Sequence, residues 1–201
     1  MMLQTLVELQ RLKRLDRTGW VLRGLPPGSE SVGAHSYGVA VVAMVLADEF
    51  RVKDIAVEIE NVLRMALLHD AAEVRMGDLP RTAVNYFGAE VRAQAETAAF
   101  RDIVEGLGSP LAEAYSSVHL EYELRNSLES RIVKAADLID LLLQALAFER
   151  SGARGLDEFW DGVINRDFGF DGPAADIVNS CLEQLLAERS KIIRTVDPCG
   201  V

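Results

Sequence analysis

Between Ser127 and Gly152 the chain spaces Val133, Ala136, Ile139, Leu142, Leu143 and Leu146 three and four residues apart. Only a helix turns such a set to one side, and this long one is the most apolar of a chain in which helical periodicity dominates. The rest of the sequence agrees. Leu3, Leu6, Leu9 and Leu12 with Val7 mark a first amphipathic helix, and a Gly/Pro/Ser-rich loop from Gly24 to Gly33 follows. A second helix is expected from about Ala34 to Phe50. A third, capped by Asp54, carries Val62, Met65 and Ala66 inward and runs to Gly77. Further helices are predicted from Glu90 to Leu107, from a Ser109 cap with Pro110 in the first turn, and from Pro173 to Ile193. A short segment spans Leu156 to Ile164, and fraying is expected after Thr195. No alternating strand pattern and no repeat is found.

Composition sets the class of partner. The 201 residues carry a net charge of −10, from 31 acidic and 21 basic residues. Such a surface repels a phosphodiester polymer, so no nucleic-acid polymer is expected as partner. A small anion remains compatible, because one bound cation reverses the local field. No apolar run reaches the ~20 residues of a membrane span, and Glu8 and Arg11 break any signal-peptide pattern. Two isolated cysteines, Cys181 and Cys199, argue against a thiolate metal site and for a cytoplasmic setting.

Polar residues interrupt the apolar faces at three places. The third helix is apolar to Leu68 and then reads His69-Asp70-Ala71-Ala72-Glu73. His35 opens the second helix behind a glycine loop, and Asp137 sits between Ala136 and Leu138 in the most apolar helix. An aspartate there must be paired or hold a cation. Taken singly, His35 reads as a cap, His69-Asp70 as an exposed helix end, and Asp137 as a partner of Lys134 one turn away. Taken together, mixed imidazole and carboxylate ligands suit Mn, Co, Fe, Ni or Zn better than Ca.

The order of these elements resembles the HD-domain metal-dependent phosphohydrolases, whose pattern is a His, a His-Asp doublet and a distant Asp. Within them the 5′-deoxynucleotidase-like branch is the nearer match. It is carried by His69-Asp70-Ala71-Ala72-Glu73 extended to Gly77-Asp78-Leu79-Pro80, by Leu120-Glu121-Tyr122-Glu123 with Glu129 and Lys134, and by Arg17-Thr18-Gly19-Trp20 with Arg23. The similarity runs from about Leu6 to Leu143. It departs from relatives at Ala34, where an acid often precedes the first histidine, and at Thr18-Gly19, which separate Arg17 from Trp20.

The resemblance implies an all-α fold, a single helical HD-domain bundle over residues 1–201, with a motif-bearing core of about 6–150 and C-terminal helices over 155–195 packed on it. It implies His35, His69, Asp70 and Asp137 as ligands of a divalent metal (Mn, Co, Mg, Fe, Ni or Zn) and Glu73 and Asp78 as catalytic groups. Arg17, Trp20 and Lys134 are implied at the substrate, with Trp20 equally readable as core and Lys134 as a support for Asp137. The expected substrate is a nucleoside 5′-monophosphate and the expected assembly a homodimer. Rival readings are hydrolysis of a triphosphate or alarmone nucleotide, and a non-catalytic metal- or nucleotide-binding scaffold. His119 reads as structural, and Asp140, Asp102 and Glu121 as solvated or pairing residues.

Overall fold

The computed structural model describes residues 1–163 and 165–196, apart from the side chains of 81, 84 and 193–196. Helices α3 (Val32–Val52), α4 (Ile59–Leu68) and α9 (Leu128–Arg150) pack against one another and form the centre. Val39, Phe50, Val62, Met65, Ile139 and Leu142 fill the space between them. α9 is the long apolar helix expected between Ser127 and Gly152, and it is buried. It begins at Ser127, whose hydroxyl accepts the Ser130 N–H while the Ser130 hydroxyl reaches back to the cap, satisfying end groups that the helix cannot pair itself.

Around this centre lie α1 (Met2–Leu9), the short α2 (Thr18–Val21), α5 (Glu73–Met76), α6 (Arg81–Phe87), the α7 (Ala89–Val104) and α8 (Ser109–Leu124) pair, α10 (Asp157–Trp160) and α11 (Gly172–Val196). α7 packs on α8, and α11 on α9 and α3. A smaller apolar cluster of Ala71, Ala72, Phe100 and Val104 lies under α7. Among the described residues the only extended pairing is an isolated bridge between Asp16 and Ser31.

The structure corrects several expected boundaries. The third helix does not continue to Gly77. It ends at Leu68, and the chain passes through His69–Ala72 in turns whose bonds span three residues, Ala71 N–H to Leu68 O and Glu73 N–H to Asp70 O, before α5. Ala71-Ala72 favour a continuous helix by propensity, but their burial beneath α7 sets the path instead. Asp54 is not the cap of α4. It has a φ of 59°, and Glu58 precedes the helix with its N–H bonded to Glu129 Oε1 of α9 at 3.0 Å. The first helix tightens into a 3-10 turn at Gln10–Arg14, and Ser109 is already helical behind Gly108. Ile164 and the expected fraying from residue 197 onward lie outside the described residues.

Candidate metal centre

Three elements bring the ordered motif to one point. α3 contributes His35, the turn after α4 contributes His69 and Asp70, and α9 contributes Asp137. Ligand atoms of His35, His69 and Asp137 all lie within 4.8 Å of one another, a group able to hold a metal ion. His35 Nε2 is 3.2 Å from Asp137 Oδ1 and 3.7 Å from Asp70 Oδ2, and His69 Nε2 is 3.1 Å from Asp70 Oδ2. The two imidazoles meet edge to face at 5.4 Å, with Tyr122 edge-on behind His69.

Both Nε2 atoms are buried and complete no hydrogen bond within the protein. Buried ring nitrogens are seldom left so, since an unpaired polar group costs on the order of 1–3 kcal/mol. Two such atoms facing two carboxylates fit a divalent cation with mixed nitrogen and oxygen ligands. The opposite ring nitrogens are anchored: His69 Nδ1 meets Ala66 O, and His35 Nδ1 meets Asp140 Oδ2, both at 2.8 Å.

Cationic side chains pair with both acids, Arg17 on the Asp70 oxygen that the histidines face and Lys134 on the Asp137 oxygen that His35 does not. Arg17 Nη1 is 3.3 Å from Asp70 Oδ2, and Lys134 Nζ is 2.7 Å from Asp137 Oδ2. Burial opposes ionisation of Asp70, but His69, Arg17 and His35 outweigh it and hold the carboxyl far below the usual range. Burial likewise opposes Asp137, and Lys134, His35 and His69 overcome it. Burial and Arg17 disfavour a charged His35, yet Asp137 and Asp140 raise its pKa to about 9. Burial works against the Arg17 charge as well, and Asp70, Asp78 and Asp137 keep it fully protonated.

Glu73 lies on α5, 5% exposed, with Oε2 unbonded. Burial, then Asp70 and Asp78, push its pKa up to about 10. Asp78 follows Gly77 and grips the start of α2: its Oδ2 accepts the Thr18 N–H at 2.6 Å, and its carbonyl accepts the Thr18 hydroxyl at 2.7 Å. This holds Arg17 beside Asp70. Lys134 thus lies where one of its two readings put it, on Asp137.

Trp20 lies elsewhere than a substrate contact would. It is 1% exposed, packed on Phe148 and Phe159, with its indole N–H on Glu30 Oε2 at 2.5 Å. Thr18-Gly19, which separate Trp20 from Arg17 in sequence, form the start of α2. Arg23 pairs with Glu158 and covers Phe159. His119 is stacked on Phe100 at 4.3 Å, with a pKa lowered by burial to about 4. Asp102 pairs with Arg75, and Glu121 accepts from Asn61.

Sequence reasoning missed two groups near the centre. Asp140, read as a solvated or pairing residue, is paired, but its partner, the candidate ligand His35, went unrecognised; its position three residues after Asp137 puts it on the same helix face, a usable signal. Arg92 on α7 holds Glu96 through Nε at 2.6 Å, and its charge is felt by both Glu73 and Asp70. Nothing local in the sequence links it to residues of α5.

A helical bundle that gathers a histidine, a His-Asp doublet and a distant aspartate from three elements is a metal-binding domain of the HD type. The HD domain family matches residues 9–166, and the chain belongs to it. It is 34% identical to 5'-deoxynucleotidase HDDC2 of Homo sapiens over 94% of this chain and 86% of that protein. It is 29% identical to 5'-deoxynucleotidase hdd1 of Schizosaccharomyces pombe over 94% and 90% of the two chains. Among solved structures, the PH0347 protein from Pyrococcus horikoshii OT3 superposes with a TM-score of 0.77 and 32% identity over 90% of this chain and 99% of that one.

Proposed function

We propose that this chain is a metal-dependent phosphomonoesterase that removes the 5′-phosphate from deoxynucleoside monophosphates, with His35, His69, Asp70 and Asp137 as metal ligands. The observation that carries the reading is the pair of buried, unbonded Nε2 atoms facing Asp70 and Asp137. The names of the human and yeast relatives support the substrate class. Mn, Co, Fe, Ni and Zn suit the donor set, with Mg as the sixth candidate.

A divalent metal in this position supplies Lewis acidity, activating water and neutralising charge on the phosphoryl oxygens. The chain's own groups do the rest. Arg17, on the Asp70 oxygen that also faces the histidines, and Lys134, on the Asp137 oxygen turned away from His35, offer positive charge to the incoming phosphate. Water attacks phosphorus, the bond to the 5′-oxygen breaks, and one proton passes to that leaving oxygen. Glu73, a buried carboxyl that feels the charges of Asp70 and Asp78, is the group assigned to exchange this proton. Asp78 assists by holding the Arg17–Thr18 segment against the centre.

A homodimer is part of the proposal. On α3, Tyr37, Val41, Met44, Val45 and Val52 form one exposed apolar stripe on which a second copy can seat. Among the described residues no helix is long and apolar enough to cross a membrane, and a cytoplasmic setting is proposed from the sparse cysteines.

The test is phosphate release from a panel of nucleotides with Mn, Co and Mg in parallel. Release from deoxynucleoside monophosphates, reduced to background in Asp70→Ala and Asp137→Ala, is expected. Turnover of triphosphates or alarmone nucleotides in preference would move the substrate class. Metal binding with no release from any nucleotide would leave the scaffold reading instead.

A further inference from the structure

The two histidines present the same nitrogen to the centre but are braced in different ways. His69 Nδ1 rests on a backbone carbonyl of its own helix, Ala66 O. His35 Nδ1 rests on a carboxylate from another helix, Asp140 Oδ2 at 2.8 Å. Asp137 and Asp140 are three residues apart on α9, so one helix face meets both edges of the His35 ring, Asp137 at Nε2 and Asp140 at Nδ1. A carboxylate at Nδ1 keeps a proton there and leaves the Nε2 lone pair for a cation.

The space around Asp140 is built for it. Gly38 lies on α3 three residues after His35, and a Cβ added there would fall inside the Asp140 carboxylate, 2.7 Å from its Cγ. Glu30 closes the other side. It offers an oxygen within 4.8 Å of both His35 and Asp140, is itself pinned by the Trp20 N–H, and holds the Arg17 N–H on its own carbonyl at 3.0 Å. A glycine in mid-helix ordinarily weakens the helix relative to alanine. Here the missing side chain is the volume that the carboxylate occupies.

We infer that Asp140 is a positioning residue that aims His35 Nε2 at the metal, and that Gly38 is required because Asp140 fills its side-chain space. The inference rests on the proposed metal-ligand reading of His35.

The experiment is a Co(II) titration of the full chain, followed by equilibrium dialysis and by the visible absorption of the bound ion, for wild type, Asp140→Ala, Asp140→Asn, Gly38→Ala and the double variant Gly38→Ala/Asp140→Ala. Loss of such a brace weakens metal binding by about 10–100-fold. Asp140→Ala and Gly38→Ala should each fall in that range with an altered visible spectrum, and the double variant should bind no worse than Asp140→Ala alone. Asp140→Asn should lie between, since its amide oxygen still accepts the Nδ1 proton. Binding within twofold of wild type and an unchanged spectrum in Asp140→Ala would overturn the inference, and so would additive losses in the double variant. If wild type binds no Co(II), the metal reading fails separately. The brace is then read from the downfield 15N-coupled Nδ1 proton of His35 in the metal-free protein, which Asp140→Ala must abolish if the inference holds and retain if it does not.

Discussion

Glu73 is a neutral carboxyl in the protein without a cation, because burial, Asp70 and Asp78 all oppose its charge and lift its pKa to about 10. Its folded value lies above the unfolded one of 4.5. The stability it contributes is therefore complete below pH 4.5 and is lost as pH rises from there toward 10. In chelator, wild type should lose stability across that window more steeply than Glu73→Gln, and at pH 8 the variant should be the more stable by a few kcal/mol, read from melting curves at a series of pH values. With metal present the order reverses for function: kcat of Glu73→Gln should fall by about 100-fold or more, as for loss of a general acid or base. At this scale the sequence marked out the candidate residues, and the structure gathers His35, His69, Asp70 and Asp137 at one point. The sequence left Trp20 open between core and substrate contact, because a ring three residues after an arginine reads the same whether it turns inward or outward, and burial decides for the core.

The helix break at His69–Ala72 shows how an element can be misread while its motif is read correctly. Apolar spacing and two alanines describe a helix to Gly77, and no residue in the run announces turns whose bonds span three residues. The cause is tertiary: Ala71 and Ala72 are packed beneath Phe100 and Val104. The short α2 and α6 escaped notice for a simpler reason, since four or seven residues hold too few turns to show a period. Gly77 ends α5 at φ 76° and ψ 162°, a conformation open almost only to glycine. Gly77→Ala should cost about 1–3 kcal/mol and loosen Asp78 from Thr18. The expected result is a lower Tm together with a drop in kcat/KM as Arg17 loses its place, measured on the same preparation by thermal scanning and steady-state assay.

For the whole molecule, the candidate ligands join the three helices that form the centre, so a bound ion would tie α3, the α4 turn and α9 together. Stripping metal with a chelator should lower Tm, and adding back Mn or Co should raise it with the logarithm of concentration, a stabilisation of about 2.7 kcal/mol at a hundred times the dissociation constant. Asp137→Ala should abolish that dependence. The sequence made this architecture legible because α9 announces itself as an apolar helix interrupted by Asp137 between Ala136 and Leu138, whereas the contact of α3 with α9 at Gly38 and Asp140 depends on a volume that only the packed structure displays. That shared volume has a consequence for the history of the fold. Two positions on different helices own one space, so neither can drift alone. A lineage that acquires a side chain at position 38 must remodel position 140 in step, and the two sites should exchange residues as a pair while the histidine between them stays unchanged.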